Sequence, residues 1–211
     1  MKSIPYASAV GSIMYAQVCT RPDLAFTTGM LGRYQKNPGV EHWIAVKKTL
    51  QYLQGTKSLM LTYRKSNALE IVGYSDADWA GCKDTRKSTS GYIFILARGA
   101  ISWKSLKQSI VTSSTEYAEI IACYEATGIE KPLKLYCDNE SAIFYSYNNK
   151  SSNTAKYIDI KYYVVKRKIQ DQTIMLEHIE SERMLADPLT KRLPPKKFIE
   201  HVAGMGLKEH L

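Results

Sequence analysis

Leu69-Glu70-Ile71-Val72-Gly73-Tyr74-Ser75 begins the stretch that decides the fold, Tyr92-Ile93-Phe94-Ile95-Leu96 continues it and Ile101-Ser102-Trp103 closes it. Each run is short, apolar and rich in β-branched or aromatic residues, so each reads as a strand. The link between the first two, Ala80 to Ser90, is polar throughout, and Arg98-Gly99 supplies a tight turn before the third. Three consecutive strands with short links predict an antiparallel meander.

Downstream the signals turn helical. Ser113-Ser114-Thr115 ahead of Glu116 is an N-cap signature for a helix running to about Thr127 and stopping at Gly128. Leu133 to Cys137 reads as a fourth strand, Asn139 to Tyr147 as a helix, and residues 154–169 as another with Ile158, Tyr162, Val165 and Ile169 on one face. Thr173 to Ile179 is a fifth strand. Arg183 to Lys191 is a last short helix limited by Pro188, and Pro194-Pro195 starts a tail that is helical to Val202. The order βββ-α-β-α-α-β-α predicts an α/β fold, a mixed five-stranded sheet with helices on both faces.

Upstream, residues 5–36 are helical in two pieces broken at Arg21-Pro22-Asp23, and Asn37-Pro38-Gly39 makes a turn. A helix follows from Glu41 to Gly55 with Trp43, Val46, Leu50 and Leu53 on one face. The expected organisation is a small α-helical unit over 1–68, an α/β unit over 69–193 and a C-terminal tail over 194–211.

The 211 residues are 45% hydrophobic and 23% charged, an ordinary globular balance that argues against disorder. No apolar run approaches the roughly 18 residues of a membrane span, and the N-terminus reads as no signal peptide. Cys19, Cys82, Cys123 and Cys137 form no C-x-x-C pair and have no zinc-finger histidines, so reduced thiols in an intracellular protein are expected, cytoplasmic or nuclear. The net charge is +9, of which residues 1–70 carry +6 and residues 132–211 carry +3. The neutral middle holds an acidic focus at Asp76, Asp78 and Asp84. A basic chain with an acidic focus suits a nuclease, whose cations hold phosphates while its carboxylates hold metal. It equally describes a soluble basic protein.

Four acids stand out by position: Asp76 after the first strand, Glu119 in the first turns of the first helix, Asp138 at the end of the fourth strand, and Asp187 in the last short helix. If strands one and four are neighbours, Asp76 and Asp138 emerge together and the Glu119 helix crosses that end. Carboxylates so placed repel one another, and two divalent cations about 3.5–4 Å apart would resolve the repulsion and serve phosphodiester cleavage. Each acid also has an ordinary alternative: turn acid, solvated helix residue, N-cap for the helix after Asn139, surface charge.

Tyr74-Ser75-Asp76-Ala77-Asp78-Trp79-Ala80-Gly81, Lys87-Ser88-Thr89-Ser90-Gly91-Tyr92 and Ile101-Ser102-Trp103-Lys104 closely resemble the ribonuclease H domain of copia-type retrotransposon Pol polyproteins. Ser113-Ser114-Thr115-Glu116, Leu135-Tyr136-Cys137-Asp138-Asn139, Ile158-Asp159-Ile160 and Leu185-Ala186-Asp187-Pro188-Leu189-Thr190-Lys191 continue the likeness in order. Ile4 to Ser12 and Cys19 to Asp23 look like the end of that family's reverse transcriptase. The resemblance implies an RNase H-like fold from about residue 69, cleavage of RNA in an RNA–DNA hybrid with Mg²⁺ or Mn²⁺, and metal-binding acids at Asp76, Glu119, Asp138 and Asp187. It also implies that the rest of a Pol polyprotein is a partner. The oligomeric state is left open. The chain holds no adjacent Asp-Asp pair, so no DNA synthesis is expected of it.

Three departures from the family stand out. Ser114-Thr115-Glu116-Tyr117-Ala118-Glu119-Ile120 differs around the second acid; the Ala-Glu-apolar context favours Glu119, with Glu116 one turn away as second choice. The segment 120–135 is shortened, which predicts lost core contacts and leaves open a catalytically inactive, nucleic-acid-binding remnant. Tyr157 stands where relatives often carry His.

Lys83, Arg86 and Lys87 flank the acidic edge as phosphate-holding candidates or as a solvated loop. Lys161, Lys166, Arg167 and Lys168 have the same two readings. Trp43, Trp79 and Trp103 are expected in cores. His178 is either structural or a proton shuttle, and Cys137 a small buried hydrophobe.

Overall fold

In a computed structural model the described residues are 4–65, 69–128, 133–148 and 156–209, with side chains in the last stretch from 159 onward. Helices α1 (Tyr6–Cys19), α2 (Ala25–Gly32) and α3 (Val40–Gly55) come first, with a 3₁₀ turn at Pro22–Leu24 where Pro22 breaks the pattern. A short strand β1 (Leu59–Leu61) follows, then the meander β2 (Val72–Asp78), β3 (Thr89–Leu96) and β4 (Gly99–Lys107). Helix α4 (Thr115–Ala126), strand β5 (Leu133–Cys137), helices α5 (Glu140–Tyr147) and α6 (Lys156–Gln170) and strand β6 (Ile174–His178) complete the sheet region. Helix α7 (Pro195–Gly204) and strand β7 (Leu207–Glu209) end the described chain.

The five-stranded sheet has the order β4-β3-β2-β5-β6. β2, β3 and β4 pair antiparallel; β5 joins β2 and β6 joins β5 in parallel. This is the expected mixed five-stranded sheet flanked by helices, and strands one and four are neighbours in it. Strand alternation sends adjacent residues to opposite faces. Phe94 packs with Ile120, Leu135, Val165 and Leu176 under α4 and α6, while Ile93 packs with Ala100, Met184, Leu189 and Met205 on the other face.

That second face is covered by segments read as appendages. Ala25 of α2 belongs to its core, and Trp103 Nε1 donates to Gln17 O of α1 at 3.1 Å. Residues 194–211, read as a tail, contain α7 and β7, and β7 pairs antiparallel with β1. A third core of Tyr6, Val10, Ile13, Leu24, Leu31 and Val46 holds the N-terminal helices together.

Three expectations are corrected. The first strand is placed at 72–78 rather than 69–75, so Asp76 lies inside it instead of after it. Arg183 to Lys191 is no continuous helix: a 3₁₀ turn at Ser181–Arg183 leads into it and a second at Asp187–Leu189 lies within it, because Pro188 has no N–H to donate back to Met184 O. Trp79 is 44% exposed rather than core, with Nε1 donating to Thr112 O at 3.2 Å. The shortened α4 still buries Ala118 to Cys123 and Ala126, so its middle turns are enclosed on all sides. The link 129–132 and the Tyr157 side chain lie outside the described residues.

Candidate metal centre

Gly91 explains why the acids can meet. It faces Asp76 across the β2–β3 ladder. A Cβ there would stand 2.7 Å from Thr190 Cγ2 and 2.9 Å from Leu189 Cβ. Glycine therefore lets the 187–191 segment lie directly on the sheet beside Asp76. Thr190 uses that approach to donate its hydroxyl to Asp76 Oδ2. The turn that carries Thr190 brings Asp187 alongside.

Asp138 arrives by a different route. β5 is parallel to β2, so both strands deliver their C-terminal residues to the same end. The N-cap of α5 is Asn139, whose Oδ1 accepts from Ala142 N–H at 2.9 Å. Asp138 is thus not the cap, and instead accepts from Ser181 Oγ at 2.7 Å. Oxygen atoms of Asp76, Asp138 and Asp187 all lie within 4.8 Å of one another.

Glu119 enters from α4. β5 pairs with β2 only as far as Tyr74, and beyond that point Ala77 N–H donates to Glu119 Oε1 at 3.0 Å. Glu119, Cys137 Sγ and Asp138 form a second group within the same 4.8 Å limit, sharing Asp138 with the first. Glu119 is buried and turned toward the aspartates, whereas Glu116 is half-buried and belongs to neither group.

The electrostatics are those of crowded buried anions. Burial first, with Asp187 and Asp138 adding, pushes the Asp76 carboxyl up to about 6 although Lys191 and Thr190 oppose it. Burial, helped by Asp76, pushes Glu119 well above the ordinary carboxylate range. Lys191 Nζ lies 2.9 Å from Asp187 Oδ1 and 3.5 Å from Asp76 Oδ1. Lys197 Nζ on α7 lies 3.6 Å from Asp187 Oδ2. Apart from the Lys191 ammonium, the buried Asp187 Oδ1 has no polar partner among the described residues. Burial alone would weaken the Lys191 proton's hold, but Asp76 and Asp187 outweigh it and raise its pKa.

A cleft of about 760 Å³ runs from Lys191 outward between α2 and the β2–β3 connection. Arg33, Lys83, Lys107 and Arg192 line it, with Asp78 and Asp84 also on its walls. Lys83 and Arg86 are exposed, whereas Lys87 is half-buried and fixes the loop by donating to Ser109 O at 2.5 Å. The second basic group is engaged within the chain: Lys161 pairs with Glu125 at 2.6 Å, Lys168 donates to Thr127 O at 2.8 Å, and Arg167 meets Asp171 at 3.7 Å. His178 is exposed at the end of β6. Cys137 is fully buried, and all four cysteines are free thiols.

Sequence reasoning gave no role to Thr190, Lys191, Lys197 or Gly91. Lys191 did carry a signal, its position four residues after Asp187. Lys197 carried none.

Over 94% of its length the chain is 43% identical to the retrovirus-related Pol polyprotein from transposon TNT 1-94 of Nicotiana tabacum. The chain belongs to the copia-type retrotransposon Pol family. It spans 16% of that tobacco Pol polyprotein. It is also 49% identical over 127 residues to secreted RxLR effector protein 161 of Plasmopara viticola, covering 60% of this Pol-family chain and 89% of the effector. Among solved structures, an RNase H1 isolated from compost is similar with a TM-score of 0.46 and 16% identity, over 58% of this chain and 94% of that one. No family model matches. Among the described residues no helix is long and apolar enough to cross a membrane.

Proposed function

We propose that the chain hydrolyses the RNA strand of RNA–DNA hybrids at a two-metal carboxylate site. The observation that carries this reading is the convergence of Asp76, Asp138 and Asp187 from three separate segments to within 4.8 Å. A donor set of carboxylate oxygens fits a hard divalent cation, Mg²⁺ or Mn²⁺. Asp187 Oδ1, buried and met only by the Lys191 ammonium, is a donor atom of that kind. In this reading Asp76 and Asp138 would hold the metal ions, with Glu119 and Asp187 each helping to complete a site. A bound pair supplies an activated water and neutralises the leaving oxygen.

The chain's own side chains hold those ligands in place. Thr190 orients Asp76, Ser181 orients Asp138, and Ala77 N–H orients Glu119. Lys83 and Arg86, with Lys107 and Arg192 of the cleft lining, hold backbone phosphates without reading bases in this reading. Lys87 supports them by fixing their loop. The 2′-OH in the minor groove selects RNA. Residues 1–68 are in this reading the end of a reverse transcriptase, 69–193 the ribonuclease unit, and 194–211 a closing segment; the remaining Pol polyprotein is the natural partner.

The test is cleavage of an end-labelled RNA–DNA hybrid with Mg²⁺ and with Mn²⁺, using single-stranded RNA and Asp138→Asn protein as controls. Hybrid-only cleavage is expected. The variant is expected to lose about 10³-fold, equivalent to about 4 kcal/mol of transition-state stabilisation. Folded protein that binds hybrid and never cleaves it overturns the reading in favour of a catalytically inactive remnant.

A further inference from the structure

Lys191 stands where the proposed centre needs a metal. Its ammonium bridges Asp187 and Asp76, which reach it from different segments, at 2.9 and 3.5 Å. A cation held between two metal-ligating carboxylates fills the space a divalent ion would take, and a like charge so close repels that ion. The other ammonium near the cluster, Lys197, approaches the far oxygen of Asp187 and does not touch Asp76. Lys191 is therefore the group whose position conflicts with a loaded site.

We propose that Lys191 is an internal counter-ion that occupies one cation position between Asp76 and Asp187 and withdraws into the adjoining cleft when a divalent metal binds. The inference rests on the metal-site reading above. Three observations give the withdrawal a route. The Lys191 side chain is one-third exposed. It lines the cleft of about 760 Å³ rather than a closed core. Asp78, half-buried on that cleft wall, already feels the Lys191 charge and offers a carboxylate to receive it. A lysine suits such a movement because its charge sits on a four-carbon flexible stem. Without metal, the same ammonium offsets the repulsion among the aspartates, so the empty site does not depend on protonation alone. Metal affinity is the quantity that suffers, because every ion must displace an ion pair.

The experiment is calorimetric titration of Mn²⁺ into nucleic-acid-free wild-type, Lys191→Gln and Lys191→Arg proteins, with melting temperatures recorded before and after. The Gln variant is expected to bind Mn²⁺ about tenfold more tightly, the equivalent of about 1.4 kcal/mol. Its metal-free melting temperature is expected below wild type, with Mn²⁺ restoring it. The Arg variant, which keeps the charge, is expected to hold the wild-type affinity. Equal or weaker Mn²⁺ binding by the Gln variant beside a wild type that binds overturns the counter-ion role and leaves the metal site intact. Binding by none of the three proteins overturns the metal site and the counter-ion role together.

Discussion

Two regions of this molecule bury charge, and they do so in opposite ways. In the N-terminal helices Arg21 and Asp23 are 5% and 3% exposed, and every strong valence is matched. Arg21 reaches both oxygens of Asp23 at 3.0 and 2.7 Å and also Thr56 Oγ1 at 2.9 Å, while Tyr52 OH donates to Asp23 Oδ2 at 2.6 Å. At the end of the sheet Asp76, Glu119 and Asp187 are as deeply buried, and Asp138 joins them, but cations are fewer than anions. One oxygen of Asp187 is met by the Lys191 ammonium alone, and the carboxyls of Asp76 and Glu119 are pushed upward. A matched buried pair can serve as structure alone. An excess of buried carboxylates costs stability in the empty protein, and that cost is intelligible if a cation is to arrive.

The largest effect expected from breaking this contrast is at Arg21. Removing it leaves buried Asp23 with the Tyr52 hydroxyl in place of its cation, and breaking such a pair costs about 3–5 kcal/mol. Arg21→Ala should lower the urea midpoint accordingly, and the double variant Arg21→Met/Asp23→Leu should recover much of the loss. A single variant as stable as wild type would show that the network is not the N-terminal anchor.

At the acid cluster the sign reverses, and pH displays it. Asp76 has a folded-state pKa of about 6 against an ordinary 3.8. The metal-free folded state therefore binds more protons than the unfolded chain between those values. Its contribution to stability is present below about pH 4, is lost as pH rises toward about 6, and stays lost above. Asp76→Asn removes that titration and should gain on the order of 2–3 kcal/mol at pH 8 without metal. Glu119, shifted in the same direction, keeps some slope in the variant. Urea melts at pH 4, 6 and 8 in chelator check this; a variant with the full wild-type slope would remove Asp76 as its source.

The sheet was legible because its strands are short apolar runs between polar links, and its mixed character followed from the element order; that β2 and β5 are neighbours entered only as a condition, which the parallel pairing meets. The strand ends were less legible. Asp76 was expected just after its strand, yet cross-strand pairing with Gly91, like that of Asp78 with Thr89, keeps both acids extended within it. The four carboxylate positions were read from the ends of elements and from the family likeness. Their supports were not: Thr190 and Lys191 act through a 3₁₀ turn where a helix was expected, and Lys197 comes from a helix read as tail. Such contacts depend on which distant segments share a layer, and local periodicity carries no record of that.

Gly91 belongs to the acid-cluster side of the comparison and gives the smallest stability effect with the sharpest functional consequence. It is a strand glycine whose missing side chain is the space Thr190 and Leu189 occupy. Gly91→Ala forces the methyl into that contact, and overpacking of this kind costs about 1–3 kcal/mol. The strain has one cheap outlet, lifting of the 187–191 turn off β3. That motion carries Thr190 away from Asp76 and Asp187 away from Asp138, while the Arg21–Asp23–Tyr52 network stays in place. The expected result is a modest fall in urea midpoint with a disproportionate loss of Mn²⁺ binding. Proportionate losses of both would mean the turn and the sheet yield together, and the acids would then be positioned by the whole core rather than by this one close approach.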